Sequence, residues 1–333
     1  MNVKTMNKPY LYFDDIDGQE QYDRSIEDTA PAKFPSQGQL KLLLCELFFL
    51  NKLQIHGLLD NSTIVYLGSA PGTHIKWLYD HFIQLGVSLQ WILIDGRKHD
   101  SILSNLNNVT IVTRFADEQY LRELRKKLRN RRIILISDVR TNKPGKEPST
   151  DDLLNDYTLQ NTTISVLRPA ASIIKWRCPF PDQWIHEFYI PCGKELLQPF
   201  APSYSAELRI ISIHTKTPLQ LRLITLEDAH IYENKMFYIN NNIRKKIIIN
   251  FDYPNQNYDI FHMYFLLSNI LCHRTFNDTK SKVLFLHQSI FKFLKIPLSV
   301  TSKIKNEQIQ RDIPFKDTVS KGRDTQRSIR YNK

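Results

Sequence analysis

The sequence predicts an α/β fold: a central, mostly parallel sheet with helices on both faces and an antiparallel strand near its C-terminal end. Three observations carry this prediction. Apolar runs alternate with helical patterns from residue 63 to residue 176. The run Ile64–Leu67 breaks at a tight turn, Gly68-Ser69-Ala70-Pro71-Gly72, which feeds a helical pattern through Ile75, Leu78, Tyr79, Phe82 and Ile83. The next apolar run, Leu89–Ile94, ends in Asp95, 23 positions after Gly72.

The elements follow in order. Residues 1–35 show no periodicity and mixed charge, and read as an arm lying over the domain. Ser36-Gln37-Gly38-Gln39 has the spacing of a capping box, so a helix is expected from there through Leu42, Leu43, Leu47, Phe48 and Leu53. Strands are expected at 63–67, 89–94, 109–113, 132–137 and 171–176, and helices at 73–85, 117–129 and 150–166. A long strand starts at Glu207 and runs to Ile213. Residues 224–242, 256–272 and 281–294 read as helices around a short strand at 246–251. The domain therefore spans 36–300. The segment 301–333 loses its apolar pattern among many Lys and Arg residues and reads as a disordered basic tail.

Composition narrows the function. The 333 residues carry 45 Lys and Arg against 34 Asp and Glu, a net charge of +11. Such a balance points to polyanions, nucleic acid before anionic membrane. Fifteen tyrosines and 18 phenylalanines offer surfaces for base stacking as well as core. Cys45, Cys178, Cys192 and Cys272 form no C-x-x-C pair, which argues against a zinc site and fits a reducing compartment. No signal-peptide pattern and no apolar run of about 18 residues occur, so a soluble intracellular protein is expected.

The glycine turn narrows it further. Its spacing is not G-x-G-x-x-G, and no Lys-Ser/Thr follows, so it is neither a dinucleotide fingerprint nor a P-loop. It suits a ligand with no phosphate to cradle, such as S-adenosylmethionine. Asp95, at the end of the second strand, is placed to bind ribose hydroxyls.

In an open α/β sheet the carboxyl ends of the strands meet at one crevice. Ile133–Ser137 runs out into Asp138, and Ser172–Ile174 runs out into Lys175. Glu207 joins them if its strand is antiparallel, and Lys41 reaches the same edge from the preceding helix. Lys41, Asp138, Lys175 and Glu207 match the Lys-Asp-Lys-Glu tetrad of RNA 2′-O-methyltransferases.

With these residues the chain resembles the poxvirus family of cap-specific mRNA 2′-O-methyltransferases that double as regulatory subunits of the viral poly(A) polymerase. The resemblance runs through Gln37–Lys41, Gly68–His74, Leu93–Arg97, Trp176–Trp184, Pro199–Glu207 and Asn250–Gln256, nearly the whole chain. It implies a Rossmann-like, S-adenosylmethionine-dependent methyltransferase, with no metal. The tetrad would be catalytic. Gln39, Tyr66, Gly68, Gly72, Asp95, Arg97 and Ala116 would bind the cofactor, with Phe115 and Val139 near the adenine. The cap and RNA would meet Tyr22, Cys178, Pro179, Phe180, Asp182, Tyr204, Ser205, Ala206, Glu207 and Glu233. Arg140, Arg177 and Arg209, with Lys143 and Lys146, would hold RNA phosphates or sugars. Methylation makes 7-methylguanine cationic, so a sandwich between Tyr22 and Phe180 gains cation–π attraction.

The implied partners are capped mRNA, a poly(A) polymerase catalytic subunit in a heterodimer and the viral transcription machinery, with no membrane. The implied places are the virion and the host cytoplasm. A ribose 2′-hydroxyl is a poor nucleophile, and Lys175 takes its proton only when neutral. A second cation and burial lower the lysine pKa while Asp138 and Glu207 raise it, so the sequence leaves the sign of the shift open. Two other readings stand beside the enzyme: a non-catalytic RNA-binding processivity subunit, which has no use for a tetrad, and a dinucleotide oxidoreductase, which lacks its fingerprint.

Overall fold

A computed structural model describes residues 5–26, 34–141, 148–214, 219–246, 248–249 and 257–301. The elements are β1 (Thr5–Met6), α1 (Gln37–Ile55), β2 (Ser62–Leu67), α2 (Thr73–Gln84), β3 (Leu89–Asp95), β4 (Val109–Thr113), α3 (Glu118–Lys127), β5 (Arg132–Ser137), α4 (Thr150–Leu167) and β6 (Ala171–Trp176). There follow β7 (Phe188–Pro191), β8 (Lys194–Leu196), β9 (Leu208–Ile213), β10 (Leu221–Ile224), α5 (Leu226–Tyr238), a π-helical turn (Ile239–Ile243), α6 (Arg244–Lys246), β11 (Ile248–Ile249), α7 (Tyr258–Ser268) and α8 (Thr279–Phe293).

Among the described residues, seven strands form the main sheet in the order β4-β3-β2-β5-β6-β9-β8. The first five are mutually parallel. β9 runs antiparallel to β6, and β8 antiparallel to β9. This is the mostly parallel sheet with a late antiparallel strand that the alternating pattern predicts. The central strands are apolar on both faces because both are covered. One core joins Ile64, Tyr66, Leu93, Ile134 and Ile136 to α1, α2, α7 and α8. The other joins Val65, Leu67, Ile133 and Leu135 to α3, α4 and α5. Fully burying one such aliphatic side chain is worth about 1.5–3 kcal/mol, so the two cores hold the strand ends in fixed register.

Topology sets the site. The strand order reverses beside β2, whose neighbours are β3 and β5. That is where an open α/β sheet leaves a crevice at its carboxyl edge. Because β9 is antiparallel, its first residues lie at this edge too: Lys175 faces Arg209 and Trp176 faces Leu208 across the ladder.

Three features differ from expectation. Ser36 does not cap α1; it sits at φ 64° with no side-chain cap bond. Gln37 Nε2 instead donates to the Phe200 carbonyl at 2.8 Å, and Phe34 meets Phe200 edge-on, so a tertiary contact sets how the chain enters the helix. The helix expected from 224 begins at Leu226, after β10, which pairs antiparallel with β7 in a separate two-stranded sheet. Of the strand expected at 246–251, Ile248–Ile249 is described, and it pairs in parallel with Thr5–Met6 of the arm. The rest of the Asn250–Gln256 motif, the loop with Lys143 and Lys146, and the tail from residue 302 lie outside the described residues.

Candidate active site

The glycine turn and the carboxyl edge that carries Asp138 are one construction. Gly68 follows β2 at φ +72°, and a Cβ there would lie 2.7 Å from the carbonyl carbon of Asp138. Only glycine lets the Asp138 backbone cross so closely, tied by its N–H to the Leu67 carbonyl at 2.9 Å. Gly72, also at φ +72°, has Ser69 O where a Cβ would meet it at 2.6 Å.

At this edge the tetrad closes. Lys175 Nζ lies 3.2 Å from Asp138 Oδ1 and 3.5 Å from Glu207 Oε2. Lys41, from the first turn of α1, donates to Glu207 Oε1 at 2.6 Å. All four predicted residues, three from strand ends and Lys41 from α1, therefore meet.

Two arginines join them. Arg209 Nη2 is 2.7 Å from Asp138 Oδ1 and 3.5 Å from Glu207 Oε1. Arg140 spans Glu207 Oε2 and Asp156 Oδ2, at 3.5 Å each. Gln198 completes the layer: its Nε2 donates to the Glu207 carbonyl at 2.9 Å, and its Oε1 accepts from Arg209 Nε at 3.0 Å.

The ionisation pattern follows from this packing. Burial alone would push Asp138 up, but Lys175 and Arg209 outweigh it and pull the carboxyl down to about 2. Glu207 falls well below the carboxylate range against the same burial, through Lys175, Lys41 and Arg209. Burial pulls Lys175 below its ordinary value, with Arg140 and Arg209 adding to it, and this outweighs Asp138 and Glu207. The sign that the sequence left open is downward. Lys175 keeps a 14 % exposed side chain, so it is reachable from solvent.

The neighbouring edge carries the expected cofactor residues. Asp95 Oδ2 accepts from the Ala70 N–H at 2.9 Å and Oδ1 from the Arg97 N–H at 2.8 Å. Arg97 forks over Asp95 and the Ala70 carbonyl while its side chain stays largely exposed. Gln39 Oε1 accepts from the His74 N–H at 3.2 Å and lies 2.8 Å from His74 Nδ1, which joins the starts of α1 and α2. Phe115 is 82 % exposed and stands against Gly96, where a Cβ would meet its ring at 2.5 Å. Ala116 and Val139 are half-buried. Tyr66 is fully buried, and its hydroxyl donates to Glu46 Oε1 at 2.5 Å between sheet and α1.

On the other side, Tyr204 adopts φ 56°, a left-handed conformation costly for an aromatic residue and held by its surroundings. Its ring stacks on Phe237 at 5.7 Å, Tyr22 meets Phe237 edge-on at 5.3 Å, and Lys245 Nζ donates to the Tyr204 hydroxyl at 2.6 Å. Ser205 Oγ accepts from the Glu207 N–H at 3.2 Å, which links this loop to the tetrad. Asp182 is exposed on a single helical turn, Pro181–Gln183, and Glu233 is half-buried on α5. Cys178, Pro179 and Ala206 are buried.

Three residues expected to meet RNA directly are turned inward. Arg209 is 3 % exposed and neutralises the tetrad carboxylates from beneath. Arg177 is buried, with its guanidinium 4.8 Å over the ring of Phe180. Phe180, expected as one wall of a sandwich, is itself 3 % exposed beneath that cation. Arg140 remains partly exposed at the edge.

Sequence reasoning missed Glu46, Asp156, Gln198, Phe237 and Lys245. Glu46 had a signal: it is an acid inside the otherwise apolar stretch Leu42–Leu50. Asp156 and Gln198 had none, because only the folded chain brings them against Arg140 and Arg209.

Among the described residues, no group of three His, Cys, Asp or Glu side chains is placed to hold a metal ion. No helix among them is long and apolar enough to cross a membrane.

A family model described as poly A polymerase regulatory subunit matches residues 5–296. A protein of myxoma virus (strain Lausanne), named cap-specific mRNA (nucleoside-2′-O-)-methyltransferase, is 57% identical over 333 residues, all of this chain and 98% of its own. A protein of the same name from fowlpox virus (strain NVSL) is 52% identical over 295 residues, 87% of this chain and 95% of its own.

Proposed function

The chain belongs to the family of poly(A) polymerase regulatory subunits, and from that premise we propose that it is a cap-dependent mRNA 2′-O-methyltransferase. In this reading it moves a methyl group from S-adenosylmethionine to the ribose 2′-hydroxyl of the first transcribed nucleotide. The observation that carries the reading is the tetrad, with Lys175 Nζ held between Asp138 and Glu207 at 3.2 and 3.5 Å.

The glycines at 68 and 72 leave room for a ligand to approach the backbone, and Asp95 with Arg97 stands beside them. These residues fit S-adenosylmethionine, together with Gln39, Ala116 and the exposed ring of Phe115. When bound, it supplies a methyl group already activated on a sulfonium. The chain's own work is then deprotonation and positioning. Neutral Lys175 accepts the 2′-hydroxyl proton at Nζ, and burial, which lowers its pKa, favours that form. Asp138 and Glu207 hold the amine in place and stabilise the ammonium once it forms. Lys41, fixed by Glu207, sets a second cation at the same edge. Holding hydroxyl and methyl donor in line supplies most of the remaining rate.

For the cap, the guanidinium over Phe180 is the informative contact. The ring face there already accepts a cation, and 7-methylguanine is one. Stacking of the base displaces Arg177 and pairs Phe180 with Tyr22, while Asp182 and Glu233 accept from the guanine N1–H and amine. Tyr204, Ser205 and Ala206 form the floor near the first ribose, and Arg140 faces the RNA. The second role is that of a regulatory subunit: a heterodimer with the poly(A) polymerase catalytic subunit, action in viral transcription elongation, and residence in the virion and host cytoplasm.

A purely RNA-binding subunit is the competing reading. Labelled S-adenosylmethionine with an N7-methylated capped RNA separates the two. Label is expected on a first nucleotide carrying a 2′-hydroxyl and absent from its 2′-deoxy counterpart. Tight RNA binding with no label on either, or equal label on both, would overturn the enzyme reading.

A further inference from the structure

Away from the tetrad, α3 and α4 enclose an open groove of about 640 Å³. Its lining includes Arg122 and Arg125 of α3, Arg168 at the end of α4, and the hydroxyls of Thr162 and Ser165. Val166 is the one apolar side chain in that lining. Glu118, also in the lining, pairs with Arg122. The surrounding surface is strongly basic. Residues 118–132 hold seven Lys and Arg against two Glu, close to half of the chain's net charge of +11. Lys126, Lys127 and Arg129 among them are exposed.

We infer that this groove is a second binding track for the sugar–phosphate backbone of single-stranded RNA, downstream of the methylated nucleotide. The inference rests on the reading of the substrate as capped mRNA. Its lining decides the ligand class. Protein interfaces are built around apolar and aromatic anchors, and this groove has one valine. With no aromatic ring in the lining, bases have nothing to stack on, so binding is to the backbone and independent of sequence. Guanidinium forks and hydroxyls are the donors that phosphate oxygens take.

Asp156 of α4 is tied to Arg140 and through it to Glu207. At about 1.5 Å per residue, the groove residues 162–168 lie about 9–18 Å farther along α4, on its solvent-facing side and away from the buried Asp156.

The test is binding of an uncapped, unstructured 30-nucleotide RNA to the full chain across a salt series, compared with methyl transfer to a capped trinucleotide. The variants are Arg125→Gln/Arg168→Gln and, separately, Ser165→Glu, which adds a negative charge and keeps every arginine. The double variant is expected to lose about 10-fold in affinity at low salt and to flatten the log–log salt slope by about 1.4, at ~0.7 per phosphate contact. Ser165→Glu is expected to weaken binding in the same direction. Transfer to the capped trinucleotide is expected to stay within twofold. Unchanged RNA affinity in both variants would overturn the proposal and leave the groove to an acidic protein surface. An equal loss on the trinucleotide would overturn it as well. RNA binding is read without methyl transfer, so failure of the enzyme reading would leave a separate signature.

Discussion

Lys175→Met is expected to lower kcat for methyl transfer by about 10²–10⁴-fold, the usual worth of a positioned general base, while leaving binding of S-adenosylhomocysteine and capped RNA within a few-fold. The reason is the division of labour at the edge. The cofactor-side residues Asp95 and Arg97 bond to one another and to Ala70, so they do not depend on the lysine. Asp138 keeps Arg209, and Glu207 keeps Lys41, so both carboxylates retain a cation when Lys175 is gone. Single-turnover transfer with binding measured in parallel checks this. A loss that appears only in KM would make Lys175 a substrate-binding residue.

Arg209→Met is expected to act on the fold before it acts on chemistry. Arg209 is buried, and it serves Asp138, Glu207, Gln198 and the Ser137 carbonyl at once. Removing one partner of a buried ion pair leaves an uncompensated charge and costs about 3–5 kcal/mol. Denaturant unfolding should show the unfolding free energy falling by that amount, through a lower midpoint with little change in slope. Adding Asp138→Asn to Arg209→Met should recover part of the loss, because the orphaned charge is gone. A cost below about 1 kcal/mol, within the range of exposed ion pairs, would mean that solvent reaches this layer freely.

The parts of the site that the sequence made legible are those fixed by local chemistry. A parallel strand covered on both faces reads as an apolar run, a crossing backbone demands glycine at 68, and the end of each run marks the carboxyl edge. Asp138, Lys175 and Glu207 were placed in this way, with β9 needing only to be antiparallel.

The illegible parts are set by partners far away in sequence. The entry into α1 turns on Phe200 rather than on Ser36. β7 and β10 are four-residue strands, too short to show a period against the helix that follows. The inward turn of Arg209 is not legible, because a strand buried on both faces has no alternation to say which way a charge points. The register of β9 against β6 puts Arg209 opposite Lys175, and the carboxylates beside it make the inward position favourable.

The same geometry explains how a lysine serves as a base with two acids beside it. Each carboxylate is shared: Asp138 with Arg209, and Glu207 with Lys41, Arg140 and Arg209. Their stabilisation of the Lys175 ammonium is divided among competing cations, and burial decides the balance.

The pH dependence of kcat at saturating RNA and cofactor tests this most directly, in wild type and in Arg140→Gln. Lys175 acts only when neutral, so the rate should rise with pH and level off above an apparent pKa below the lysine value of about 10.4. Arg140 helps to lower that pKa, so its removal should move the rising limb to higher pH. A wild-type limb at or above the ordinary lysine value, or a limb that Arg140→Gln leaves in place, would contradict the assignment of Lys175 as the base.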